Sequence, residues 1–249
     1  MKYGEREKRT PKSARGDFSL SAILRLLSTL AVQGVLPDLV ARYRAISGNM
    51  VETHLAPTNA LLERIAAGDT ADVAIVTRAA LDDLAAKGVM RAESLADIAI
   101  SHVGIAVKAG AARPDISSVD ALKATLLAAK SIAYSRIGAS GVFFAGLIGR
   151  LGVSDAVNAN AIITPGGFTG AAVARGEAEL AVQQISELMQ VPGLDIVGPL
   201  PPGAESITVF SAGVFSASRQ VNAARDLVAA LRSPDAIMAL EAAGLQRPA

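Results

Sequence analysis

At four points in this 249-residue chain, hydroxyl, amide or glycine residues stand where a short apolar run ends and a helix-period run begins. The fullest is Ala133-Tyr134-Ser135-Arg136-Ile137-Gly138-Ala139-Ser140-Gly141, ahead of a helical run from about Val142. Small residues there let backbone N–H groups approach a ligand closely, and the positive end of the following helix favours negative charge. Ser28-Thr29 follows Ile23 to Leu27, Pro57-Thr58-Asn59 follows the alternating Met50 to Leu55, and Gly166-Gly167 follows Ile162 to Thr164. A fifth polar cluster, Gln183-Gln184-Ile185-Ser186-Glu187, closes the apolar run Leu180 to Val182. Each group alone is a common helix cap. Their repetition points to the capture of a small anion by N–H and hydroxyl donors.

Elements of α/β type are needed to bring such breaks together. Strand, helix, strand, helix, strand, helix is read over 23–86, with helices at Val32 to Tyr43, around Leu61 to Ile65 and at Ala79 to Ala86, and a strand ending at Thr77. Right-handed crossovers make these strands parallel, so Ser28, Thr58 and Thr77 fall on one edge, where open α/β sheets bind ligands. A strand at His102 to Val107 leads into Gly110 to Ser118, a Pro- and Ser-containing crossing. A second lobe follows, with helices from Val119, from the Gly141 cradle and from Gly170, and strands at Ser131, Ala161 and Leu180. Pro192 to Pro202 is read as a connection, Ile207 to Ser211 as the returning strand, and Asn222 to Leu231 and Pro234 to Ala243 as closing helices. The expected division is 23–107 with 208–249 as the first lobe and 108–207 as the second. Two crossings make a hinge.

Composition narrows the function. Hydrophobic residues make up 51% and aromatics only 4%, so the core is built from Ala, Leu, Val and Ile, as suits helices on a parallel sheet. A net charge of +1, with no basic stripe outside the opening segment and no stacking platform, argues against nucleic acid. With no cysteine and only His54 and His102, thiol chemistry, disulfides and Cys/His zinc sites are excluded; no cofactor or metal is expected. No apolar run approaches membrane-spanning length. The opening residues 1–22 read as a basic, disordered tail. Ser19 to Leu30 is interrupted by Arg25 and makes a poor export signal.

The order and spacing of these markers resemble the periplasmic molybdate-binding proteins and the wider group of type II solute-binding proteins. The likeness covers residues 23 to 247 and rests on Leu27-Ser28-Thr29, Ala56-Pro57-Thr58-Asn59, the run Ala66 to Val73, Ala139-Ser140-Gly141, and Val173 to Leu180 before Gln183-Gln184. It implies two α/β lobes joined by two hinge crossings, closing on an anion held by hydroxyls and N–H groups. Ser28 and Thr58 become first-lobe ligands, with Thr29, Asn59 and Thr77 beside them; Ser140, Gly141, Gly166, Gly167 and Ser186 belong to the second lobe. Delivery to an ABC transporter permease and a periplasmic location are implied by the same likeness.

Gln184 stands where molybdate binders place a tyrosine, and Arg78 and Arg136 lie near the expected cleft. An amide and guanidinium forks suit a carboxylate better than a tetrahedral oxide. The likeness extends to a branch that includes aconitate isomerase, which makes an isomerase of small tricarboxylates the alternative to a binding protein. That chemistry needs a base, for which His54, Tyr134 and Glu187 are the candidates.

Overall fold

A computed structural model describes residues 22–248 of the chain. The basic tail read at 1–22 lies, apart from Ala22, outside the described residues.

Three parallel strands open the fold: β1 (Ile23–Ser28), β2 (Met50–Leu55) and β3 (Val73–Thr77), with β1 between the other two. Their crossovers are α1 (Leu36–Ser47) and α2 (Thr58–Ala66), and α3 (Arg78–Ala86) follows β3 directly. The helix expected from Val32 instead starts at Leu36, behind a short 3-10 turn at Leu30–Val32, because Gly34 and Pro37 resist an earlier α-helical start and suit a first turn. β4 (Ala96–Lys108) is the long strand that unites the molecule. Its first part pairs antiparallel with β9 (Ile207–Val214); from Val103 onward it pairs with β7 (Leu180–Gln184) and β8 (Leu194–Pro199). Residues 103–107, read from sequence as first-lobe, therefore already carry hydrogen bonds to the second set of strands.

α4 (Val119–Ala128), β5 (Ile132–Ser135), α5 (Ala139–Arg150), α6 (Ser154–Ala159), β6 (Ala161–Thr164), α7 (Gly170–Ala174) and α8 (Ile185–Leu188) fill the interval between β4 and β8. The whole sheet runs β2-β1-β3-β9-β4-β7-β5-β6, with β8 also on β4. α9 (Val221–Ala230) and α10 (Pro234–Ala242) close the chain against the first strands.

Helices cover both faces of each half. Leu24, Leu26, Val73 and Ile75 pack with Leu36, Leu39, Leu227 and Leu240 on one face, and Leu27, Ala74 and Val76 with Leu61 and Leu81 on the other. In the second half Ile105, Ile132, Tyr134 and Val182 meet Leu122, Phe144 and Leu147, while Ala106, Ala133 and Ala181 meet Val173 and Leu188. Each fully buried Leu or Phe contributes about 1.5–3 kcal/mol, so these four layers hold the strand ends in fixed relation. Asp72, at the turn into β3, joins three segments: it accepts from the Arg25 N–H at 2.8 Å and the Ser218 hydroxyl at 2.6 Å, and its own N–H reaches Arg25 O.

Candidate functional site

A narrow cleft opens where the carboxyl ends of β1, β2, β5, β6 and β7 converge. Residues at or after the ends of these strands line it, together with Phe210 of β9.

The β5–α5 turn is the most constrained part. A Cβ on Gly141 would lie 1.4 Å from the Ser135 carbonyl oxygen, so only glycine lets α5 begin directly against the strand end. The Ser135 hydroxyl accepts from the N–H groups of Ile137 and Gly138 at 3.3 and 3.4 Å, and the Gly138 carbonyl accepts from Gly141 and Val142. The N–H groups of Ala139 and Ser140 belong to the first turn of a 12-residue helix, where no intrahelical acceptor is available, and both residues line the cleft. Thr58, at the start of α2, faces them from the other side with 7% exposure.

Gln183 shapes the next loop. Its carboxamide accepts from the Thr169 N–H at 2.7 Å and hydroxyl at 3.0 Å and donates to Gly167 O at 3.0 Å, fixing the Gly166-Gly167 turn, where Gly167 takes φ 73°. Gln184 crosses β4 to donate from Nε2 to the Thr208 hydroxyl at 3.2 Å, leaving its buried Oε1 without a partner. Glu187, on α8, is 8% exposed, and burial pushes its carboxyl up to about 7, tempered by the Gln183 amide. It is the one ionisable side chain lining the cleft among the described residues.

The other expected residues divide clearly. Thr29, Thr58, Ser140, Gly166, Gly167, Gln184 and Glu187 line one cleft. Ser28 and Gly141 stand directly behind the lining, the Ser28 hydroxyl donating to Thr29 O at 3.3 Å. Asn59 spans the cleft mouth, where its Nδ2 donates to Ile137 O at 3.1 Å. Ser186 is buried beside Glu187 with its hydroxyl unpartnered, outside the lining.

Five of the expected residues lie outside the cleft lining. Arg78 turns away to Asp82 and Asp97, at 2.9 and 3.1 Å, since those carboxylates satisfy its guanidinium next to α3. Thr77 is spent as the cap of α3, accepting from the Ala80 N–H. Arg136 is exposed and outside the lining. His54 lies exposed on the edge strand β2 and contacts Arg64. Strand alternation sends Tyr134 with Ile132 into the core, where its ring meets Phe144 edge-on at 5.1 Å and its hydroxyl donates to Asn158 at 2.5 Å. Conversely, Phe210 lines the cleft with no sequence signal, while Ser135, Ala139 and Gln183 line it from within the polar breaks without having been named as candidate ligands.

Glu187 also sets an acid-side stability profile. Its carboxyl rises from 4.5 to about 7 on folding, so the folded state favours the protonated form. The stabilisation is complete below pH 4.5 and is lost as pH climbs through 7, by up to about 3 kcal/mol. Thermal denaturation of the ligand-free protein is expected to show this loss, and Glu187→Gln to abolish that component of the profile. An unchanged profile in the variant contradicts it.

Comparison with known proteins places this geometry. A family described as bacterial extracellular solute-binding protein matches residues 24–246. A relative from Pseudomonas sp. named aconitate isomerase is 38% identical over 229 residues, covering 90% of this chain and 87% of its own. Among solved structures, the Azotobacter vinelandii periplasmic molybdate-binding protein superposes with a TM-score of 0.75 at 18% identity, over 91% of this chain and 100% of that one. The sulfate-binding protein SubI of Mycobacterium tuberculosis H37Rv gives 0.70 at 16% identity, over 90% and 86%.

Proposed function

The chain belongs to the family of bacterial extracellular solute-binding proteins, and we propose that it closes on a small organic polycarboxylate of the aconitate type and moves a proton on it through Glu187. In this reading 23–107 with 208–249 forms one jaw and 108–207 the other. β4 and the return into β9 act as the hinge.

The observation that carries the proposal is the buried Glu187 carboxyl, poised near 7 in a cleft otherwise lined by N–H, hydroxyl, amide and apolar groups. A proton-transfer group works best when its pKa lies near the working pH. An ionised carboxylate repels any anionic guest, and molybdate or sulfate offers it no carbon-bound proton to move. An unsaturated tricarboxylate gives that group a task. Glu187 takes a proton from the methylene carbon, the electron pair spreads across the allylic carbons into the adjoining carboxylate, and the proton returns to the far carbon. The double bond shifts, cis and trans forms interchange, and no atom or electron is gained or lost. Donors at Ala139, Ser140, Thr58 and the Gly166 turn hold the carboxylates and stabilise the charge that develops. The relative named aconitate isomerase supports the same assignment.

A second reading, capture of the same acid in the periplasm for an ABC transporter, is favoured by the likeness in fold to the molybdate- and sulfate-binding proteins. Incubation with trans-aconitate, followed by chromatography, separates the two. Accumulation of the cis isomer is expected. Unchanged substrate at high protein concentration, with binding intact, leaves only the second.

A further inference from the structure

We infer that the cleft takes in its anionic guest together with a proton, one H⁺ entering with each organic acid bound and residing on Glu187. The inference rests on the reading of the cleft as a polycarboxylate site.

The cleft is short of hydrogen-bond donors at its β7–α8 side. Gln184 Oε1 is buried and unpartnered, and Glu187 is helped only by the Gln183 amide, most of whose capacity is spent on Thr169 and Gly167. An arriving carboxylate brings acceptors and negative charge, and this makes the shortage worse. The two groups can answer it differently. The Thr208 hydroxyl can donate as well as accept, so the Gln184 amide can turn end for end, keep that bond and offer its NH₂ to the guest. A carboxylate has no such second face, and it can become a donor only by taking a proton.

Among the described residues no neighbouring charge relieves Glu187 instead. α8 packs on β4, β7, β8 and the Leu30–Val32 turn, and the last two of these contribute only Asp195, which accepts from the Gly110 N–H. β7 carries no ionisable residue. On β4, Asp97 is paired with Arg78 and Ser211, and His102 with Gln246. Lys108 lies five residues beyond Val103, the register partner of Gln184, and thus about 16 Å along the strand. On α10, near α8, Asp235 and Glu241 are exposed. Burial dominates at the Glu187 carboxyl, with the Gln183 amide opposing it, and a second negative charge within the cleft raises its proton affinity further.

The probe is tricarballylate, a saturated tricarboxylate with no double bond to move. It is titrated calorimetrically at about pH 8 in phosphate and in Tris, whose ionisation enthalpies differ. The expected result is uptake of close to one proton per tricarballylate by the wild type and none by Glu187→Gln, which still binds. A check without any variant is the wild-type dissociation constant between about pH 7.5 and 9, expected to weaken by about tenfold per pH unit. Buffer-independent heats, a flat dissociation constant, or equal uptake in the variant overturn the inference and leave the polycarboxylate reading standing. Absence of any binding by tricarballylate and aconitate overturns that reading itself, and the inference with it.

Discussion

Glu187→Gln is expected to lower kcat for aconitate interconversion by about 10²- to 10⁴-fold, the range that a positioned acid–base group contributes. The substitution keeps the volume and polarity of the side chain, and the buried site already favours the uncharged form, so the fold has no reason to fail. What is lost is the ability to accept a proton from carbon. Binding of tricarballylate should persist, because the carboxylates are held by N–H and hydroxyl groups elsewhere in the cleft. The wild-type pH profile carries the complementary sign: kcat/KM needs the ionised carboxyl of the free cleft and rises with pH through about 7, whereas capture favours the protonated form. Full activity in the variant, measured by separating the cis and trans isomers, removes Glu187 from the chemistry.

Gly141→Ala is expected to abolish ligand binding, by at least about 100-fold, and to cost about 1–3 kcal/mol of stability. Helix propensity alone would make alanine the better residue by about 1 kcal/mol. The clash decides the sign: a Cβ placed 1.4 Å from Ser135 O cannot be absorbed by a side-chain rotation, since the partner is backbone. Either the strand end or the first turn of α5 must move, and the N–H groups of Ala139 and Ser140 move with it. Gly138→Ala is the control for stability. Its Cβ would meet only the Ser135 hydroxyl at 3.9 Å, and φ −81° suits any residue. Calorimetric titration and thermal denaturation of the two variants read both effects, and near-wild-type binding by Gly141→Ala would contradict the role given to this turn.

Much of this architecture is legible in the residues because local and long-range signals agree. The apolar runs at Ile23, Val73, Ile132 and Leu180 become strands, and the polar breaks after all of these but Val73 line one cleft. β8 escapes notice because Pro192, Gly193 and Gly198 disguise a strand that an irregularity at Ile105/Ala106 accommodates. The early part of β4 is hidden by Asp97 and Ser101, whose polar side chains are stabilised by contacts distant in sequence or hidden in the core. For the cleft, backbone donors are easier to anticipate than side chains. Where a helix starts follows from small residues and turns. Whether Arg78 faces a ligand or Asp97 depends on a neighbour 19 residues away. Strand parity, in contrast, could have removed Tyr134 from the candidates, since it shares a face with Ile132.

A crystal structure with tricarballylate bound is the most direct test of the central claim. Carboxylates are expected against the Ala139 and Ser140 N–H groups and the Thr58 hydroxyl, with a methylene carbon facing the Glu187 carboxyl. A guest bound outside this cleft, or one seated with its carbon chain turned away from Glu187, would contradict it.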